Sequence, residues 1–348
     1  MCDLKLSPQV GVVCTTSSDP GAIAIVQLVG HGVRQVLRRV TGVADWPRSK
    51  MRLIDVADVD QGLVVLLSDR WAQISCHGGP RVVQQLVRAL MNAGAVPVEE
   101  PSAGDLYPEA QSDLEADMLA TLSRAASPRA VDLLLAQPML WRRWLTTQQP
   151  PPTEVLKRSN ILNRCVDPPS VVVVGGPNVG KSTLTNRMLR RSASVVADLP
   201  GTTRDWVSGV AQLEDVAVRW MDTPGLRTTD DPVERIAHDL ARRAIEMADV
   251  LIAVRDSSTE FPGHQMTRTP DLWVMNKIDL AHNTDNPRDI AISALLGQGI
   301  DHLQSRILTV LGLTRSDPVP WAFSGPLRRI LINCEDSRTL EAYVSERE

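Results

Sequence analysis

Four valines in a row, Val171 to Val174, run straight into Gly175-Gly176-Pro177-Asn178-Val179-Gly180-Lys181-Ser182. No other segment narrows the possible folds as much. A strand that is apolar at every position suits the centre of a parallel sheet, where helices cover both faces. The eight residues after it match G-x-x-x-x-G-K-[ST], a pattern that needs a strand before it and a helix after it. Lys181 to Arg191 has the character of that helix. Glycines let backbone N–H groups close around an anion, and a helix N-terminus adds a favourable dipole. The pattern therefore predicts a phosphate-holding unit in which Gly175, Asn178, Val179 and Gly180 form the loop. Lys181 is expected to reach the β- and γ-phosphates and the Ser182 hydroxyl to ligate magnesium, with Thr183 also among the nucleotide-binding residues.

The segments that follow keep the rhythm of an α/β layer fold. Val207 to Leu213 and Val216 to Met221 read as two strands of a hairpin around Glu214-Asp215. Pro232 to Met247 is helical, Val250 to Val254 and Leu272 to Met275 are strands, and Ile300 to Leu311 is a last helix. The connections 256–270 and 279–289 look short for further helices.

Three more motifs fall at the ends of these strands. Asp222-Thr223-Pro224-Gly225 offers a carboxylate to magnesium and a Gly225 N–H to a γ-phosphate. Asn276-Lys277-Ile278-Asp279 places a carboxylate, Asp279, where it can accept from guanine N1–H and the 2-amino group, neither of which adenine offers. A site built this way leaves buried polar groups unpaired with the wrong base, so it selects GTP. Ser293-Ala294 follows at the spacing of a loop that supports the base. Between the first and second motifs, Pro200-Gly201-Thr202-Thr203-Arg204-Asp205 supplies a switch threonine for magnesium, Thr203 or its neighbour Thr202. Four motifs in this order predict binding of GTP and GDP, and hydrolysis of GTP.

Bulk properties set the outer limits. A chain of 348 residues is long for one domain. With 43% hydrophobic and 22% charged residues and no long apolar run, it predicts a globular cytoplasmic protein without a membrane span. Five scattered cysteines suit reduced thiols better than a disulfide framework. A net charge of -4 gives no bulk attraction to nucleic acid.

Ahead of the P-loop, residues 1–100 read as a small α+β domain. It has strands at Ala22 to Val29, Leu63 to Leu67 and Trp71 to Cys76, and a helix from Arg81 to Asn92. Pro97 to Tyr107 reads as a linker. Residues 101–168 hold that linker, a helical hairpin broken at Ser127-Pro128, and a stiff connector at Gln149 to Pro152. A G domain over 169–315 and a short helical tail over 316–348 complete the expected organisation. Trp141 and Trp144 read as a packed helix face rather than a base-stacking surface.

GPNVGKST, then PGTTRD, then DTPGLR followed by VERI, resembles the GTPases of tRNA wobble-uridine modification (the MnmE/TrmE family). Pro20 to Ile25 and the stretch ISCHGGPRVVQQLVRAL resemble that family's N-terminal domain, so the likeness spans most of the chain. The resemblance implies that Asn178 helps hold a potassium ion bridging the phosphates, so that hydrolysis is K+-stimulated. It implies that Glu234, aligned through VERI, orients the attacking water, since Leu226 stands where Ras-like proteins carry a glutamine. It also implies homodimerisation through the N-terminal domain, a tRNA substrate and a flavin-dependent partner subunit.

The chain departs from the family at several points. It ends LEAYVSERE without the family's Cys-x-Gly-Lys tail, and its last cysteine is Cys334. Gln27 stands where the family's 5-formyltetrahydrofolate-binding domain carries an arginine. Residues 98–110 replace a family loop. These departures separate the folate and modification expectations from the GTPase one. They leave two other readings open, a GTP-dependent regulatory switch or scaffold and a ribosome-assembly GTPase of the Era or Der kind.

Overall fold

The computed structural model describes residues 10–14, 21–190, 207–223, 241–258, 268–280, 289–315, 317–333 and 337–345. The chain forms two compact units, residues 1–120 with 341–348, and residues 121–340. No described helix is long and apolar enough to cross a membrane.

The first unit is built from β1 (Val10–Cys14), β2 (Ile23–Val29), α1 (Val33–Thr41), β3 (Met51–Val56), β4 (Asp60–Ser68), β5 (Trp71–His77), α2 (Pro80–Asn92), β6 (Ala95–Pro97), α3 (Ala103–Leu106) and α4 (Asp113–Leu122). Its six strands lie in the order β3-β4-β5-β2-β1-β6, antiparallel throughout except where β6 runs parallel to β1. Alternation sends Ala24, Val26 and Leu28 of β2 to one face with Val64, Leu66 and Ile74. The apolar stripe Val33, Val36, Leu37 and Val40 of α1, and Leu86 and Leu90 of α2, belong to the same core. Each fully buried branched side chain there contributes about 1.5–3 kcal/mol. The expected linker at Pro97 to Tyr107 is corrected: it contains α3. Ser102 and Asp105 form a reciprocal capping box that satisfies the backbone donors of that short turn.

The second unit opens with α5 (Pro128–Leu135), α6 (Gln137–Thr147) and α7 (Pro152–Leu162). The expected connector lies between α6 and α7, ending one residue earlier than expected. Pro152 stands in the first turn of α7, where proline's missing N–H costs nothing. Trp141 and Trp144 are buried on α6 with ring centroids 5.4 Å apart, a packed face.

There follow β7 (Ser170–Gly175), α8 (Lys181–Arg190), β8 (Val207–Leu213), β9 (Val216–Asp222), α9 (residues 241–247), β10 (Val250–Arg255), β11 (Leu272–Met275), β12 (Ile290–Ala291), α10 (Ile300–Val310), α11 (Gly325–Ile332) and α12 (Ser337–Val344), whose residues from Glu341 on are assigned to the first unit. The sheet order is β12-β11-β10-β7-β9-β8, parallel except for the β8–β9 hairpin. β7 lies near the centre, with Val171 to Val174 fully buried, as an apolar strand between parallel neighbours requires. Register does the rest. Val254 pairs with Gly175, Val173 with Asp222, Arg255 with Met275, and Met275 with Ala291. The carboxyl ends of five strands therefore finish level, and the loops beyond them share one edge. Open α/β sheets hold ligands at that edge.

Candidate nucleotide site

The P-loop leaves β7 at Gly175, where a Cβ would come 2.3 Å from the carbonyl oxygen of Val254 on the neighbouring strand. Only glycine fits so close to another backbone. Asn178 and Gly180 both take left-handed backbone conformations, φ 60 and φ 92. A Cβ at Gly180 would lie 2.2 Å from Asn276 Nδ2. The loop is thus shaped by backbone constraints before any ligand is considered.

Lys181 begins α8 and is buried. Its Nζ donates to the carbonyls of Gly175 (3.0 Å) and Gly176 (2.8 Å), which aims the ammonium into the cup of the loop. Burial holds it below the ordinary lysine value, an effect the Asp222 carboxylate opposes. Asp222, the last residue of β9, is 7% exposed. Its Oδ2 accepts from Ser182 Oγ at 3.3 Å, while its Oδ1 is buried with no hydrogen-bond partner among the described residues. Burial pushes this carboxyl up, against the pull of Lys181 and of the Ser182 and Thr185 hydroxyls. A buried, half-satisfied carboxylate beside a hydroxyl is a hard oxygen donor set of the kind magnesium takes. Among the described residues no group of three or more His, Cys, Asp or Glu could hold a metal by itself. An ion here would draw its other oxygens from phosphate and water.

The segments Asn276–Asp279 and Ser293–Ala294 are joined to this loop by one side chain. Asn276 Nδ2 donates to the Val179 carbonyl at 2.8 Å, and Asn276 Oδ1 accepts from the Ala294 N–H at 2.9 Å. One buried amide therefore ties three loops together. Lys277, at φ 63, donates from Nζ to Asp256 Oδ2 at 2.7 Å. Asp279 stays exposed in the turn that follows. Ser293 closes its own loop, with Oγ accepting from the Leu296 N–H at 3.1 Å. Ser182, Thr183 and Asn178 are exposed on the loop and the first turn of α8. Thr202, Thr203, Gly225 and Glu234 lie outside the described residues.

Sequence reasoning overlooked several residues that the tertiary structure brings to this edge. Asp256 steadies Lys277, and its other oxygen accepts from the Ser258 N–H and hydroxyl at 3.0 and 2.8 Å. Thr185, fully buried on α8, accepts from Trp220 Nε1 at 3.1 Å. Arg187 of α8 donates to the carbonyls of Ala294 and Leu295. None belongs to a contiguous motif, so spacing along the chain gives no signal for them.

The chain is similar to known GTPases. The model of the 50S ribosome-binding GTPase family matches residues 170–285. The tRNA modification GTPase MnmE of Nitrosomonas europaea is 30% identical over 361 residues, covering 84% of this chain and 79% of that protein. Its namesake from Akkermansia muciniphila is 28% identical over 361 residues, covering 84% and 79%. Among solved structures, Aquifex aeolicus Era bound to GDP and AlF4- shares 26% identity, with a TM-score of 0.33 over 44% of this chain and 59% of that one. With the P-loop, the buried Asp222 carboxylate and Asn276 assembled on one sheet edge, and with identity of this extent to a curated relative, the chain belongs to the MnmE family of tRNA modification GTPases.

Proposed function

We propose that this GTPase hydrolyses GTP in support of tRNA wobble-uridine modification and that potassium stimulates the reaction. The half-satisfied Asp222 carboxylate facing Ser182 carries the chemical part of the reading. Family membership supports the tRNA part. Magnesium, when bound, would neutralise charge on the phosphate oxygens, held by Ser182 and Asp222 with Thr203 or Thr202 closing over it. Lys181, turned into the loop, would stabilise negative charge on the β- and γ-phosphates. Asn178 would take the potassium role. Its side chain is exposed on the loop. Glu234 would orient the water that attacks the γ-phosphate, and Gly225 would sense that phosphate through its N–H. Asn276, Lys277, Asp279, Ser293 and Ala294 would hold the guanine, with Asp279 reading its N1–H and 2-amino group.

A homodimer through the N-terminal unit, a tRNA and a flavin-dependent subunit are the partners this reading carries. A GTP-dependent switch that has left modification behind is the second reading. Gln27 favours it: the side chain is buried, donates to the Leu106 carbonyl at 2.9 Å and accepts from Trp71 and Gln73. It stands committed to internal bonds at the position where the folate reading calls for an arginine.

Steady-state GTP hydrolysis in potassium and in sodium chloride tests the mechanism. The rate should be several-fold higher in potassium, and Glu234→Ala should lose most of it while still binding GTP. Equal rates in the two salts would remove the role of Asn178. Mass spectrometry of wobble uridines in a modification-deficient strain separates the two readings, because only the first restores the modified nucleoside when the native partner subunit is co-expressed.

A further inference from the structure

The loop from Ser293 to Gly297 has no apolar packing of its own at its tip, since Leu295 and Leu296 are exposed by 67% and 60%. What fixes it is polar. The Ser293 N–H donates to Gln298 O at 3.0 Å, the Ala294 N–H to Asn276 Oδ1, the Leu296 N–H to Ser293 Oγ, and the Gly297 N–H to Ser293 O at 2.7 Å. Two carbonyls of the tip are held from outside by one side chain. Arg187 reaches from α8, less than two turns beyond Lys181, with Nε donating to Ala294 O and Nη2 to Leu295 O. Gly297 lies against the same guanidinium, because a Cβ there would come 2.7 Å from Arg187 Nη1, and its φ is +82. The head group is thus enclosed by the loop, two carbonyls on its donors and a glycine against it.

This grip sets the direction of a donor. In a planar trans peptide the C=O and the next N–H point opposite ways. Turning the Ala294 carbonyl toward Arg187 therefore turns the Leu295 N–H away from it, while the Ser293, Ala294, Leu296 and Gly297 N–H groups are engaged within the loop and with Asn276. A base with an oxygen at position six can accept from such a backbone donor, whereas adenine presents an amino group there. A guanidinium suits the task, since its planar fork donates two bonds at fixed spacing and an ammonium does not.

We infer that Arg187 is a positioning residue for base recognition, holding the Ser293–Gly297 loop in the conformation that presents the Leu295 N–H to the six-oxo edge of guanine. The inference rests on the reading of Asn276–Asp279 and Ser293–Ala294 as the guanine site. It divides the labour within that site. Asp279 discriminates by the 2-amino group, while Arg187 acts on the part of the base that guanine and hypoxanthine share.

The test uses the full chain, with GDP and IDP binding measured by calorimetry and GTP hydrolysis at steady state, for wild type, Arg187→Ala and Arg187→Lys. Arg187→Ala should weaken GDP and IDP by the same factor, about tenfold, and raise KM for GTP by more than it lowers kcat. Arg187→Lys keeps the charge and the fold yet should recover only part of the affinity. GDP binding by Arg187→Ala within about twofold of wild type would overturn the inference. So would a loss carried by kcat rather than KM, which is the mark of a disturbed phosphate end. Should the alanine variant not fold, full wild-type affinity in Arg187→Lys would overturn it equally. Wild-type protein that binds neither nucleotide would instead sink the reading of the guanine site itself.

Discussion

Replacing Asn276 by alanine should destabilise the protein with no nucleotide present, because the side chain is an internal tie in its own right. Asn276, Val179 and Ala294 are all nearly fully buried, at 2%, 1% and 1% exposed. Asn276→Ala removes the acceptor of the Ala294 N–H and the donor to the Val179 carbonyl together. Each buried backbone group left without a partner costs about 1–3 kcal/mol, so the pair costs roughly 2–6 kcal/mol. A native domain holds only about 5–15 kcal/mol in all. Taking about 3 kcal/mol and a urea slope of about 2 kcal/mol/M, the unfolding midpoint should fall by roughly 1.5 M. The assay is urea unfolding of nucleotide-free protein followed by tryptophan fluorescence. Asp279→Ala is the control. That carboxylate is exposed, so its loss should move the midpoint by no more than about 0.3 M while abolishing guanine selectivity. An Asn276→Ala midpoint within about 0.3 M of wild type would refute the claim that the amide is a structural tie.

Gly180→Ala should reproduce much of that defect and weaken GDP binding as well, because its Cβ would lie 2.2 Å from Asn276 Nδ2 at a φ of +92; calorimetry with GDP checks it. Thr185→Val leaves the buried Trp220 indole N–H without its acceptor and should cost about 1–3 kcal/mol, part of which Thr185→Val with Trp220→Phe recovers. Double-mutant urea unfolding measures that coupling, and strict additivity would argue against the bond. Burial pushes the fully enclosed Cys165 thiol from 9.0 to about 11. The unfolded chain then loses this proton first, so stability should fall by roughly 2–3 kcal/mol as pH rises through that interval. Cys165→Ala should flatten the decline, and alkylation of Cys165 in native protein at neutral pH should be slow.

Legibility along the chain followed the range of the interactions. The P-loop was readable because strand, loop and helix are contiguous, and each residue type answers a local need: glycine for backbone approach, lysine for charge, a hydroxyl for metal. Asp222, Asn276 and Ser293 were readable as motifs in order. The helix α1 and the strands β1, β3 and β6 went unread, although Val33, Val36, Leu37 and Val40 do carry a helical spacing. β6 has only three residues and is defined by pairing with β1, which lies more than eighty positions away. Proline runs and polar stretches misled in the other direction, since a capped turn at Ser102 and a proline at the start of α7 resemble linkers in composition alone.

Residue order thus determined the nucleotide class, the α/β character of the second half and the family, all from patterns that act over a few residues. Tertiary structure decided how those patterns cooperate. Parallel register brings the ends of five strands level, and only then can Asn276 bond a P-loop carbonyl ninety-seven positions earlier. The same packing sets Arg187 over the Ala294–Leu295 peptides and Trp220 against Thr185. Hydrogen bonds between distant loops depend on distance and angle in space, and a linear order of residues carries neither.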